Sequence, residues 1–238
     1  MRFIFPVLAI LVSLCADVFA ADNQANQVNN FPAVACRYES SQEIVASSGD
    51  TLRQETSTSS YLWREPNRVE TRDANGDTGA LWERGKDGGI FFRKLYHQAQ
   101  KAIEYYPDDL RAAGSNLSWD AIESTFDSEL SGRTLKRVGK EIYLDREAER
   151  YRGEVDGIVM EVVWLSRERV PALVRKTTSN RVNTLRLAEI WPIDKAPWPS
   201  STHAEIEQYQ HLDFSDLGDM ESDPFVKWVI GRAHVHQH

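Results

Sequence analysis

Cysteine is almost missing from this chain: the sequence holds two, Cys15 and Cys36. The first falls inside an N-terminal signal segment, so Cys36 stands alone afterwards and an internal disulfide is excluded. It reads as a small buried strand residue rather than a redox centre. Positive charge is also in deficit, with 28 Lys and Arg against 36 Asp and Glu and a formal net charge of −8. No basic cluster interleaves with exposed aromatics, which excludes nucleic acid as a partner. Catalytic signatures are lacking too: there is no Gly-x-Ser-x-Gly elbow, zinc-protease helix, P-loop or dinucleotide-binding turn. A non-enzymatic protein without a cofactor is the expectation.

One long apolar run is present, Phe3 to Leu14, behind Arg2 and ahead of Val18-Phe19-Ala20. This is the pattern of a secretory signal peptide over residues 1–20, cleaved after Ala20. The run is too short for a bilayer span, so no integral span is expected once the signal is removed. Cys15 raises a lipoprotein alternative, against which bulky Leu14 stands where a small residue is needed. A periplasmic location follows.

Residues 21–32, rich in Asn, Gln and Ala, read as a disordered leader. Strand patterns then dominate. Ala33 to Ala46 and Leu52 to Ser60 precede a meander over Tyr61–Tyr106, whose turns are signalled by Pro66, Asn75-Gly76 and Asp87-Gly88-Gly89. A second block has five candidates: Lys136–Leu144, Glu147–Glu154, Ile158–Leu165, Ala172–Thr178 and Thr184–Trp191. Both faces of Ile158–Leu165 are largely apolar, which predicts a strand covered on each side. Between the blocks, Trp119, Ile122, Phe126 and Leu130 share one helical face behind Ser118 as N-cap. Pro192 to Pro199 reads as a strap, Ala204 to Phe214 as a last strand, and Asp223-Pro224 as the start of a short helix. Residues 33–214 form one domain on this reading, and 215–238 an acidic turn, short helix and His-rich tail.

The helix from Ser118 admits two readings. As core, its apolar residues cover one face of a sheet. As a lid, they close over a ligand cavity lined by Trp63, Trp82, Phe92, Tyr105, Met160, Val162 and Trp164, with Trp119, Ile122 and Phe126 facing in. At the C-terminus, His234, His236 and His238 would share a side of an extended segment and could meet a transition metal, the alternative being a disordered tail. The acidic residues Asp213 to Asp223 do not match a calcium-loop spacing and read as a capping-rich turn.

Several short segments resemble the periplasmic lipoprotein-carrier superfamily, the LolA/LolB-like proteins, over roughly Cys36 to Trp191. They are Leu62-Trp63-Arg64-Glu65-Pro66-Asn67, Asp87-Gly88 ahead of a strand ending Glu104-Tyr105-Tyr106-Pro107, Leu144-Asp145-Arg146-Glu147-Ala148 onward to Tyr151, Val163-Trp164-Leu165 and Val170-Pro171. The resemblance implies an α+β fold: an open antiparallel half-barrel of about 10–11 strands wrapped around one or two lid or core helices. It also implies an apolar cavity for acyl chains and an Arg before the motif Pro that controls the lid. Here that position is Glu65, with Arg64 one residue earlier. The expected function is a soluble periplasmic carrier or chaperone for a lipid or acylated lipoprotein. The alternative is an envelope sensor or protein-interaction module on the same fold.

Overall fold

The computed structural model describes residues 31–44, 56–112, 114–115, 117–124, 135–155 and 157–235. The signal, the leader up to residue 30, and Phe126, Leu130, His236 and His238 lie outside them.

The strands are β1 (Val34–Ile44), β2 (Thr56–Glu65), β3 (Arg68–Asp73), β4 (Thr78–Arg84), β5 (Ile90–Tyr96) and β6 (Lys101–Tyr105), then β7 (Lys136–Tyr143), β8 (Arg146–Val155), β9 (Ile158–Leu165), β10 (Val170–Thr177), β11 (Arg181–Pro192) and β12 (Gln210–Asp213). Among the described residues four α-helices are interspersed: α1 (Pro107–Ala112), α2 (Trp119–Ser124), α3 (His203–Ile206) and α4 (Pro224–Val235). All strands join one sheet in the order β12-β6-β5-β4-β3-β2-β1-β11-β10-β9-β8-β7. The ends of that order do not pair, so the sheet is open, as the half-barrel reading requires. Its seam is β1, which pairs with β2 on one side and β11 on the other and so joins the two strand blocks.

Two expectations need correction. The sheet has twelve strands, because β12 adds itself to β6 in parallel, the one parallel pair in an otherwise antiparallel sheet. Ala204 to Phe214 is not a single strand: Thr202 caps α3 through a reciprocal capping box with Glu205, and only Gln210–Asp213 is extended.

Local signals elsewhere agree with the chain's conformation. Gly76 and Gly88 take φ of 75° and 85° in their hairpin turns. The Ser118 hydroxyl accepts from the Ala121 amide at the start of α2, and the Asp223 carboxylate accepts from the Phe225 and Val226 amides at the start of α4.

Register determines what each face of the meander carries. Arg64, Val69, Trp82, Phe92 and Tyr105 are successive cross-strand partners and share one face, called the front. The neighbouring rung, Trp63, Glu70, Leu81, Arg93 and Glu104, points to the back, since side chains alternate along a strand. On the front, α2 delivers Trp119 and Ile122 into a core with Cys36, Tyr38, Leu62 and Val69, and Leu110, Leu217 and Val226 bury Phe92 and Ile103 further along. On the back, Ile206 covers Leu81, Leu95 and Ala102. Strand β9 is buried on both faces, Val163 and Leu165 in the core under α2 and Met160 and Val162 in a second cluster with Leu135 and Val174. Among the described residues, no helix is long and apolar enough to cross a membrane.

Candidate functional site

At the end of β2 the front face carries Arg64, a cation with 1% of its surface exposed. All five of its N–H groups donate to main-chain carbonyls. Nε and Nη2 reach Pro32 O at 3.2 and 2.9 Å, Nη1 reaches Glu123 O at 2.7 Å and Arg169 O at 2.9 Å, and Nη2 also reaches Glu168 O at 2.5 Å. Three segments distant in sequence therefore meet at one guanidinium: the entry to β1, the last turn of α2 and the β9–β10 turn. A cation at the carbonyl end of α2 also suits that end's partial negative charge. Phe31 completes the arrangement, its ring 5.0 Å from the Arg64 guanidinium and 3.8 Å from that of Arg169.

Among the described residues no carboxylate pairs directly with Arg64. Burial lowers its pKa, partly offset by nearby groups such as Cys36, Tyr38 and Glu123. Burial also pushes the Cys36 thiol up to about 12, against the opposing pull of Arg64. Such a thiol is not a nucleophile at neutral pH. The buried Glu123 carboxyl, on α2 itself, is raised by burial and held back by a hydrogen bond with Trp119 and by the charge of Arg64. Glu168 meets Arg146 at 3.0 Å. The arrangement holds α2 against the sheet with the Arg64 bond to Glu123 O and two apolar side chains, Trp119 and Ile122.

The proposed cavity residues that the structure describes do not gather in one place. Trp119 and Ile122 are on α2 and pack into the core beneath it, and Trp82 borders both that core and the next. Trp82, Phe92 and Tyr105 form an aromatic row with ring centroids 4.2 and 5.2 Å apart, continued by Phe214 at 4.4 Å. Met160, Val162 and Trp164 belong to the separate cluster beyond β10. Trp63 is on the back, where its Nε1 donates to Trp198 O at 3.0 Å and its ring lies under the Arg72 guanidinium at 5.0 Å. It anchors the Pro192–Pro199 strap and does not share a face with Trp82. His234 lies on the backbone of α4, so the alternation of an extended segment, on which the metal reading rested, does not operate there.

Two residues matter more than the sequence suggested. Arg64 was visible only as a displaced motif residue; a single Arg two residues beyond Leu62, at the end of a strand that carries Leu62 and Trp63, was its signal. Glu70 is fully buried on the back, paired with Arg68 at 2.9 Å and Arg72 at 2.7 Å, and accepts from the Ser201 amide and hydroxyl. Arg-Val-Glu-Thr-Arg reads as a solvated strand face unless the strap above it is known.

A comparison with protein-family models returned no match, and neither did one with curated proteins. Among solved structures the chain is similar to PNGF-II, with a TM-score of 0.37 and 9% identity over 78% of this chain and 33% of that one. It is similar to MucB in complex with MucA(peri), at 0.37 and 10% over 78% and 57%. It is also similar to a putative outer membrane lipoprotein-sorting protein domain from Vibrio parahaemolyticus, at 0.29 and 7% over 76% and 91%. The chain thus spans 33% of the PNGF-II chain it matches. At these TM-scores the architecture rests on the strand order of the chain itself.

Proposed function

We propose that this protein is a non-enzymatic periplasmic carrier or chaperone of the LolA-like kind that shelters an acyl chain of a lipid or lipoprotein on the front face of its sheet. The observation that carries this reading is the Arg64 latch. Its five bonds end on neutral carbonyls, which water can also satisfy, so α2 can leave the sheet without stranding a buried anion. Departure of Trp119 and Ile122 would bare an apolar floor of Leu62, Val69, Trp82 and their neighbours. Acyl burial there contributes about 0.8 kcal/mol per methylene, enough for a chain of ordinary length to compete with the helix.

The test is native mass spectrometry of protein purified from its own periplasm, together with titration by a fluorescent fatty acid. A retained lipid mass, or saturable binding that increases in Arg64→Gln, is expected. A bare polypeptide mass with no fatty-acid binding in either form overturns the reading.

A second reading, an envelope interaction module, draws on α4, where Trp228 is 44% exposed beside Phe225 and Tyr96. Because Val226 of the same helix is fully buried, deletion of the segment would damage the core. Crosslinking with Trp228→Ser is the cleaner test, and loss of a captured envelope protein would favour this reading.

A further inference from the structure

The front face ends at a rim where the β2–β3 and β4–β5 turns meet, joined by the Arg84 amide donating to Asn67 O at 3.0 Å. Between the turns lies a depression of about 250 Å³ lined by Asn67, Arg84, Gly85, Lys86 and Gly88. Arg84 is two residues beyond Trp82 on β4 and therefore on the same face, directly opposite Ile90, which packs against the core under α2. The depression therefore lies at the outer end of the front face, next to Ile90.

Its charged lining residues are both cations, Arg84 and Lys86. Arg37, Arg68, Arg72, Arg93 and Arg150 each meet a carboxylate within 3.0 Å. Arg84 and Lys86 form no ion pair among the described residues. The nearby Asp87 carboxylate is turned into its own hairpin, accepting from the Gly89 amide at 3.0 Å. Two cations without an ion pair share one depression, and Arg84 is on the same face as Trp82 and opposite Ile90, so positive charge borders apolar residues there. They match a ligand that is anionic at one end and apolar at the other. A guanidinium fork and an ammonium are the usual pair for a phosphate, the first giving geometry and the second charge. The volume equals roughly eight waters at about 30 Å³ each, room for a phosphate with part of its hydration and not for an acyl chain.

We propose that this rim depression binds the phosphate of an anionic lipid headgroup through Arg84 and Lys86, with the acyl chain running inward past Ile90 and Trp82. This deepens the carrier reading and rests on it. Arg84 also acts through space on the Glu123 carboxyl of α2, so an anion at the rim competes with the lid for the same cation.

The experiment compares 1-palmitoyl lysophosphatidic acid, monopalmitoylglycerol and inorganic phosphate, each below any micellar concentration, on the full chain and on Arg84→Gln/Lys86→Gln. Both substituted residues are exposed, and circular dichroism with a thermal midpoint verifies the fold. The phosphorylated lipid is expected to bind about tenfold more tightly than the neutral one, the worth of one charge-assisted contact. The double variant should cut that ratio to within about twofold by weakening only the phosphorylated lipid. Equal binding of the two lipids, or a ratio that survives the double variant, overturns the headgroup site and leaves the carrier reading standing. Inorganic phosphate that binds as tightly as the lysophosphatidic acid overturns it in favour of a free-phosphate site. Binding of neither lipid removes the carrier reading and this proposal with it.

Discussion

Arg64 and Glu70 lie on adjacent antiparallel strands, one rung apart, both buried, and they hold their surroundings in opposite ways. Arg64 faces the front and gathers three segments through carbonyl oxygens alone. Glu70 faces the back and is charge-neutralised by two arginines while it grips Ser201. A carbonyl that loses a guanidinium returns to water at small cost; a buried carboxylate that loses its arginines does not. The front is therefore held by neutral carbonyl contacts and the back by an ion-paired clamp. The strap from Ile193 to Ser201, with Trp198 against Trp63, covers the back, and α2 covers the front.

Glu70→Ala should break the back most severely, by about 3–5 kcal/mol, since Arg68 and Arg72 would remain side by side with their shared anion gone. Urea unfolding measures this, and a loss under about 1 kcal/mol would refute the ion-paired clamp. Next come Trp82→Ala and Trp63→Ala, each expected to cost about 3 kcal/mol from lost aromatic burial. They should part company in fatty-acid binding: Trp82→Ala weakens it and Trp63→Ala leaves it unchanged, because the two rings are on opposite faces. Equal effects on binding would contradict the assignment of the ligand to the front.

Arg64→Met should cost less, about 2 kcal/mol, because desolvation of the cation is relieved as its bonds are lost. Amide hydrogen exchange should accelerate in α2 and around Pro32 while β3 and the strap stay protected. Uniform acceleration across the sheet would mean that Arg64 is ordinary core. The smallest effect belongs to Glu123. Its folded carboxyl is raised by burial, so its favourable contribution is present below the ordinary glutamate value of about 4.3 and is lost as pH rises through the folded value. Glu123→Gln should then stabilise the protein near pH 7 by at most about 1 kcal/mol, with the gain fading toward pH 4. A gain that grows on acidification reverses the sign and sinks the assignment.

Much of the architecture could be read from the chain. The second strand block matched closely, Ile158–Leu165 to the residue, because turn residues and period-two alternation are local properties. The caps at Ser118 and Asp223 were legible for the same reason, as was the burial of β9 on both faces. Less of the site was legible. The ten residues expected around one cavity include a back-face anchor, Trp63, and a separate cluster around Met160 and Val162. Aromatic content marked them as buried but could not say beside what.

The amino-acid sequence by itself determined where strands begin and end, which residues alternate together and which charges are scarce, since each follows from covalent geometry and near neighbours. Only the tertiary structure decided which set of alternating side chains faces α2 and which faces the strap, because alternation relates residues to one another and not to either side of a sheet. It also decided the parallel docking of β12 and the convergence of Pro32, Glu123 and Glu168 on Arg64. Those Arg64 contacts join positions 32 to 104 residues apart, and chain closure over such separations is selected by the packing of the whole sheet.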